Sequence, residues 1–213
     1  MIIAIDGPAA AGKGTLARRL ADYFNYAYLD TGGLYRAVGL SMLRADVSPE
    51  DEVAASKASL SLNSALFTDT ALRDEATGTA ASKVAAMPQV RANLLEFQRK
   101  FSQLPPDGKR GAVLDGRDIG TVVCPNADIK FFVTANPQER ARRRYTEITA
   151  RGETADYNEI LADVQARDAR DMGRKDAPLV AAADAHLLDT TELDIDAVFL
   201  RAVALIEEKQ KPQ

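Results

Sequence analysis

Residues 7–15 read Gly-Pro-Ala-Ala-Ala-Gly-Lys-Gly-Thr. Gly7, Pro8, Ala9, Ala10, Ala11, Gly12 and Gly14 are small or turn-forming. A backbone of such residues can wrap closely enough for consecutive N–H groups to face the oxygens of one anion. Lys13 adds a mobile positive charge that reaches the outer phosphates of a nucleoside triphosphate. Thr15 brings a hydroxyl of the kind that sits on the accompanying magnesium ion. The flanks agree with a phosphate-binding loop. Ile2 to Asp6 is a short β-branched run, and Leu16, Leu20 and Phe24 then recur every four residues as the stripe of a packed helix. A helix starting near Gly12 would aim its positive end at the same anion.

Further groups suited to phosphate chemistry follow. Asp115 closes an apolar run, Val113-Leu114-Asp115-Gly116, where it can hold magnesium as the acidic residue of such folds does. Arg36 and Arg117 each stand beside glycines and polar side chains, a setting that suits bidentate phosphate binding. Residues 140–151 hold five arginines and one glutamate. Arg167, Asp171 and Arg174 are spaced to share one helix face. Two arginine-bearing helices joined near Gly152 read as a lid that closes on a triphosphate. A nucleic-acid patch is the alternative for this cluster, but Tyr145 is its sole aromatic and the chain is acidic, with net charge −4.

The elements that must position these residues alternate between strand and helix, which argues for a parallel α/β sheet. Strands are expected at residues 2–6, 26–29, 112–114, 129–133 and 186–188. Helices are expected at 34–44, at 90–101, from Asn136-Pro137-Gln138-Glu139 to about Arg151, from Tyr157 towards Arg170 and from Ile195 to about Lys209. His186 lies in an apolar run, Ala185 to Leu188, read as a buried strand with the histidine structural. The 213 residues suit one domain with an insert.

Composition removes several classes. His186 is the sole histidine, so a histidine-dependent hydrolase has one candidate, and Cys124 alone excludes an internal disulfide. No apolar run is long enough to span a membrane. An Asn-Lys-x-Asp base-reading motif of translational-type GTPases is missing. Without a leader pattern at the N-terminus, the expected location is the cytoplasm.

Gly7 to Thr15, with Gly14 between Lys13 and Thr15, has the form associated with nucleoside monophosphate kinases. Taken with Tyr28-Leu29-Asp30-Thr31-Gly-Gly-Leu-Tyr35-Arg36, Asp115-Gly-Arg117-Asp118-Ile-Gly120-Thr-Val-Val, Arg167-Asp168-Ala-Arg170-Asp171 with Arg174 and Ala177-Pro178-Leu179, and Leu188-Asp189-Thr190-Thr191, the chain resembles bacterial cytidylate kinases along nearly its whole length. The resemblance implies a five-stranded parallel P-loop core with flanking helices, an acceptor-binding insert and a helical lid. It implies transfer of the γ-phosphoryl group of ATP to CMP or dCMP, with Mg2+, in a monomer that binds neither nucleic acid nor membrane. The division expected is a core of residues 1–45 and 103–213, an insert at about 46–102 and a lid at about 140–174.

Residue by residue, the resemblance makes Arg36 and Arg117 clamps on the acceptor phosphate, with Thr31 nearby. Ser82, Arg91 and Asp118 would read the cytosine, and Asp171 and Arg174 would contact sugar and phosphate. Lys13, Arg117, Asp118 and Arg174 are the expected catalytic set, and Thr15 and Asp115 the metal side. Relatives often carry a small three-stranded sheet in the insert. Here residues 62–79 lack alternating β-branched runs, so helices and loops are expected instead. Another small P-loop kinase with a different acceptor, or an ATP-gated regulatory or RNA-binding module, remains open at this stage.

Overall fold

β-branched and small residues occupy five short runs, and these form one parallel sheet. The computed structural model describes residues 1–211. β1 (Ile2–Asp6), β2 (Ala27–Asp30), β3 (Ala112–Gly116), β4 (Ile129–Thr134) and β5 (His186–Asp189) lie in the order β2-β3-β1-β4-β5. All four pairings are parallel. β1 is central, so both of its faces are covered. Ile3 and Ile5 pack on one side with Leu16, Leu20, Val198 and Ile206, from α1 (Lys13–Phe24) and α8 (Ile195–Gln210). Ala4 faces the other side, against Leu114, Ile119 and Phe101. That alternation is the two-residue period of a strand buried on both faces.

β5 corrects one expectation. It pairs with β4 alone and is an edge strand. Leu188 is buried, but His186 and Leu187 are exposed. His186 lays its ring 5.9 Å from that of Phe131. An apolar run gives no sign of whether a strand has one neighbour or two, which is why a buried strand was read there.

α2 (Thr31–Arg44) begins at Thr31, three residues before the stripe that announces it. Asp30 caps it by accepting from the Gly33 N–H at 3.0 Å. The insert is helical: α3 (Glu52–Leu60), two 3₁₀ turns over Ser64–Thr68 and Thr70–Arg73, α4 (Glu75–Val84) and α5 (Pro88–Gln103). Among the described residues no strand falls between 50 and 85, as the absence of β-branched alternation suggests. Leu34, Val38, Val84, Val90 and Leu94 close a second core. At Gly39 a Cβ would stand 2.9 Å from the Ala81 nitrogen, so glycine is what lets α2 and α4 cross closely.

α6 (Pro137–Ala150) and α7 (Tyr157–Met172) form an antiparallel pair after β4. Asn136 caps α6 by accepting from the Glu139 N–H at 2.7 Å, and Gly152 makes the turn with φ +79°. Among the described residues no helix is long and apolar enough to cross a membrane.

Candidate active site

The loop between β1 and α1 is built by its glycines. Gly7 has φ +147°, and a Cβ there would fall 1.9 Å from the Val133 carbonyl oxygen, so no other residue fits. Lys13 is buried, and its ammonium donates to the Pro8 carbonyl at 2.8 Å. Burial, and then repulsion from Arg117, holds its pKa well below the usual lysine range. At Gly14 a Cβ would stand 3.6 Å from Asp115 Oδ2, which places that carboxylate against the loop. The Tyr28 hydroxyl donates to Asp115 Oδ1 at 2.9 Å. Burial and then Asp30 push the Asp115 carboxyl up. Thr15 is exposed, and with Gly12, Lys13, Gly14, Arg36 and Arg167 it lines a cleft of about 1530 Å³.

The residues expected at the acceptor come from separate elements, and Arg36 among them lines the cleft. Arg91, on α5, is paired with Asp118 and also donates to the Ala85 carbonyl at 3.2 Å. Arg117 Nε donates to Asp171 Oδ2 at 3.0 Å, and Arg174 is paired with the other oxygen of the same carboxylate. Asp118 therefore pairs with Arg91 and leaves Arg117 to Asp171. The Ser82 hydroxyl is buried without a partner among the described residues. Arg36 donates to the Leu72 carbonyl at 3.2 Å. Thr31 is buried, and its hydroxyl donates to the Asp115 carbonyl at 2.8 Å, so its proton is held by β3.

The arginines of residues 140–151 are committed to other partners. Arg140 is buried, pairs with Asp168 across α6 and α7, and donates to Ala9 of the phosphate loop at 3.3 Å. Arg142 pairs with Glu139, and Arg143 with Glu139 and the Thr190 hydroxyl. Arg144 reaches across the cleft to Glu75, and Arg151 pairs with Glu153.

Arg167, expected on an arginine-bearing face of the lid, has no ion-pair partner within 4 Å among the described residues. Its Nε is buried without a partner among the described residues. Burial, and then Arg117 and Arg36, pull its pKa down to about 9. A Cβ at Gly78 would stand 3.3 Å from one guanidinium nitrogen of Arg36 and 3.5 Å from one of Arg167. Gly78 thus leaves room on α4 for two like charges to approach. Asp171, Glu75 and Asp30 offset part of this repulsion, and an anion bound between the two arginines would offset more. The signal for Arg167 was its spacing of four and seven residues from Asp171 and Arg174.

A sequence profile for the family described as Cytidylate kinase matches residues 3–208. The chain belongs to the cytidylate kinase family. The cytidylate kinase of Brucella suis biovar 1 (strain 1330) is 56% identical over 206 residues, covering 97% of this chain and 92% of that one. That of Nitrobacter winogradskyi is 55% identical over 207 residues, covering 97% and 96%. A crystal structure of an uncharacterized protein from Eubacterium ventriosum shares the fold, with TM-score 0.57, 14% identity and coverage of 97% and 98%. Cytidylate kinases are phosphotransferases with ATP as donor.

Proposed function

We propose that this chain transfers the γ-phosphoryl group of ATP to CMP or dCMP, giving ADP and CDP or dCDP. The observation that carries the reading is the convergence of Arg36 and Arg167 beside Arg117, in the wall of the cleft that Lys13 also lines. The acceptor phosphate has a second pKa of about 6, so at pH 7 it is mostly a dianion and already a nucleophile. It needs no strong general base. What it needs is relief from repulsion by the triphosphate, and the three guanidiniums and Lys13 supply it. Asp171 is held by Arg117 and Arg174, and in this reading it contacts the sugar of the acceptor.

Magnesium fits the residues at hand. Asp115 brings a carboxylate against Gly14, and Thr15 offers an exposed hydroxyl. An ion held by two such groups would take its remaining ligands from phosphates and water. When bound, the ion neutralises charge on the triphosphate oxygens. A second groove of about 700 Å³, lined by Ala11, Gly12, Arg142, Thr190, Thr191 and Ile195, opens beside the loop and takes the donor's base. In this reading residues 46–102 hold the acceptor and 140–174 cover the donor. Arg140 and Arg144 are tied to carboxylates of other elements, Asp168 and Glu75, which favours small nucleotides over a nucleic acid as the ligand.

Cytosine is read by Asp118, Arg91 and Ser82. Asp118 accepts from the N4 amino group, and Arg91 donates to N3 or O2. Uracil presents an acceptor at O4 and a donor at N3, so the Asp118 contact and an Arg91 contact to N3 both fail, whereas O2 is common to the two bases. Asp118→Asn supplies an amide that can donate to uracil O4. The CMP-over-UMP ratio of kcat/KM is expected to fall about tenfold or more. An equal slowing of both substrates would show that Asp118 only supports its neighbours. The whole reading is checked by ADP release over a panel of nucleoside monophosphates. CMP and dCMP are expected to exceed UMP, AMP and GMP by about tenfold or more in kcat/KM, and a different best acceptor would overturn it.

A further inference from the structure

After β3 the chain runs through Arg117 and Asp118 into a five-residue π-helical turn, Ile119–Val123. Such turns are rare and leave the groups at their ends in need of partners. Two side chains from other elements provide them. At the first end, the Ile119 and Gly120 N–H groups donate to Asp6 Oδ1 and Oδ2, each at 2.7 Å. At the other, Arg99 donates to the Val122 and Val123 carbonyls at 2.9 and 3.2 Å. A carboxylate sits at the donor end and a guanidinium at the acceptor end, the polarity a helical turn favours.

Asp6 is the last residue of β1 and directly precedes Gly7 of the phosphate loop. It is 3% exposed. Burial pushes its carboxyl up to about 6, against the pull of the two N–H groups, and then Asp118 adds repulsion and Lys13 attraction. A charge this costly to bury is retained for the bonds it makes. Those bonds tie the acceptor turn to the strand that carries the donor loop. Inside the turn the Asp118 carbonyl accepts from the Val122 and Val123 N–H groups, so moving the turn moves Asp118.

We infer that Asp6 and Arg99 are positioning residues of the acceptor site, clamping the turn from both ends and so setting where Arg117 and Asp118 stand against the donor loop. The inference rests on the proposed role of Arg117 and Asp118 in holding CMP. It extends that role to two residues that touch no substrate.

Asp6→Asn turns one acceptor oxygen into an N–H donor facing a backbone N–H. Arg99→Ala removes the other clamp at an exposed position with no core to disturb. In steady-state assays Asp6→Asn is expected to raise KM for CMP about tenfold and to lower the CMP-over-UMP ratio of kcat/KM by a similar factor, the scale of one lost hydrogen bond to a charged group. Arg99→Ala is expected to move both in the same direction by about threefold. KM for ATP is expected to stay within about twofold in each. A rise in KM for ATP equal to that for CMP, or no change in either, would overturn the inference. Should Asp6→Asn fail to fold, Arg99→Ala decides alone. Asp118→Asn assayed alongside separates the two levels. If it leaves the ratio unchanged, the base-reading role falls and the inference with it. If it lowers the ratio while Asp6→Asn and Arg99→Ala do not, only the positioning role falls.

Discussion

Lys13→Met is expected to lower kcat by about 10²–10³-fold while CMP binding stays within about threefold of the unaltered enzyme. Lys13 belongs to the donor loop, where its ammonium donates to the Pro8 carbonyl, and no acceptor-side residue bonds to it. Burial and Arg117 disfavour its charge in the free protein. A triphosphate in the loop reverses that balance, and the charge then acts most strongly when negative charge moves onto the leaving oxygens. Methionine keeps the aliphatic stem that packs in the loop and removes only the cation. Single-turnover rates and CMP titration check this, with circular dichroism as the folding control. Turnover above a tenth of the unaltered rate in a folded variant would break the assignment of the loop.

Arg167→Met is expected to make the free protein more stable and the enzyme worse. The Nε of Arg167 is buried without a partner among the described residues, and Asp171 and Glu75 only partly offset the repulsion from Arg117 and Arg36. Replacing an incompletely compensated, half-buried charge with an apolar side chain of similar length is expected to raise Tm by about 2–4 °C, the shift that about 1 kcal/mol produces in a chain of this size. The same change removes a donor from the acceptor phosphate, so kcat/KM for CMP is expected to fall about 10²-fold. CMP should raise the Tm of the unaltered protein more than that of the variant, because the anion repays a cost only the former carries. Thermal unfolding with and without CMP reads both effects. A lower Tm in the free variant, with kcat/KM unchanged, would make Arg167 an ordinary structural residue.

The donor loop was legible because its parts are adjacent in the chain: glycines, lysine and threonine within nine residues, between one strand and one helix. The acceptor site was not legible in that way. Ser82, Arg91 and Asp118 lie on three elements that the insert and the sheet bring together, and family resemblance alone pointed to them. Arg167 was legible as one of the arginines on a lid helix face, but its approach to Arg36 was not, because the two lie on separate elements that only the fold brings together. Asp6 and Arg99 escaped because their partners lie 113 and 24 residues away and are backbone groups, which carry no residue type. The Asp30 cap was hidden by Gly32 and Gly33, which read as loop residues although α2 already includes them. His186 was misplaced because hydrophobicity marks a strand without saying that the sheet ends there.

A crystal structure with CMP bound tests the central claim most directly, namely that the acceptor phosphate lies on the arginines that converge at the cleft wall. The expected result is a phosphate within hydrogen-bond distance of Arg36, Arg117 and Arg167, with the cytosine amino group on Asp118 and its N3 or O2 on Arg91. A phosphate held instead by Arg143, Arg144 or Arg151, or a cytosine seated in the groove between Ala11 and Thr190, would contradict it.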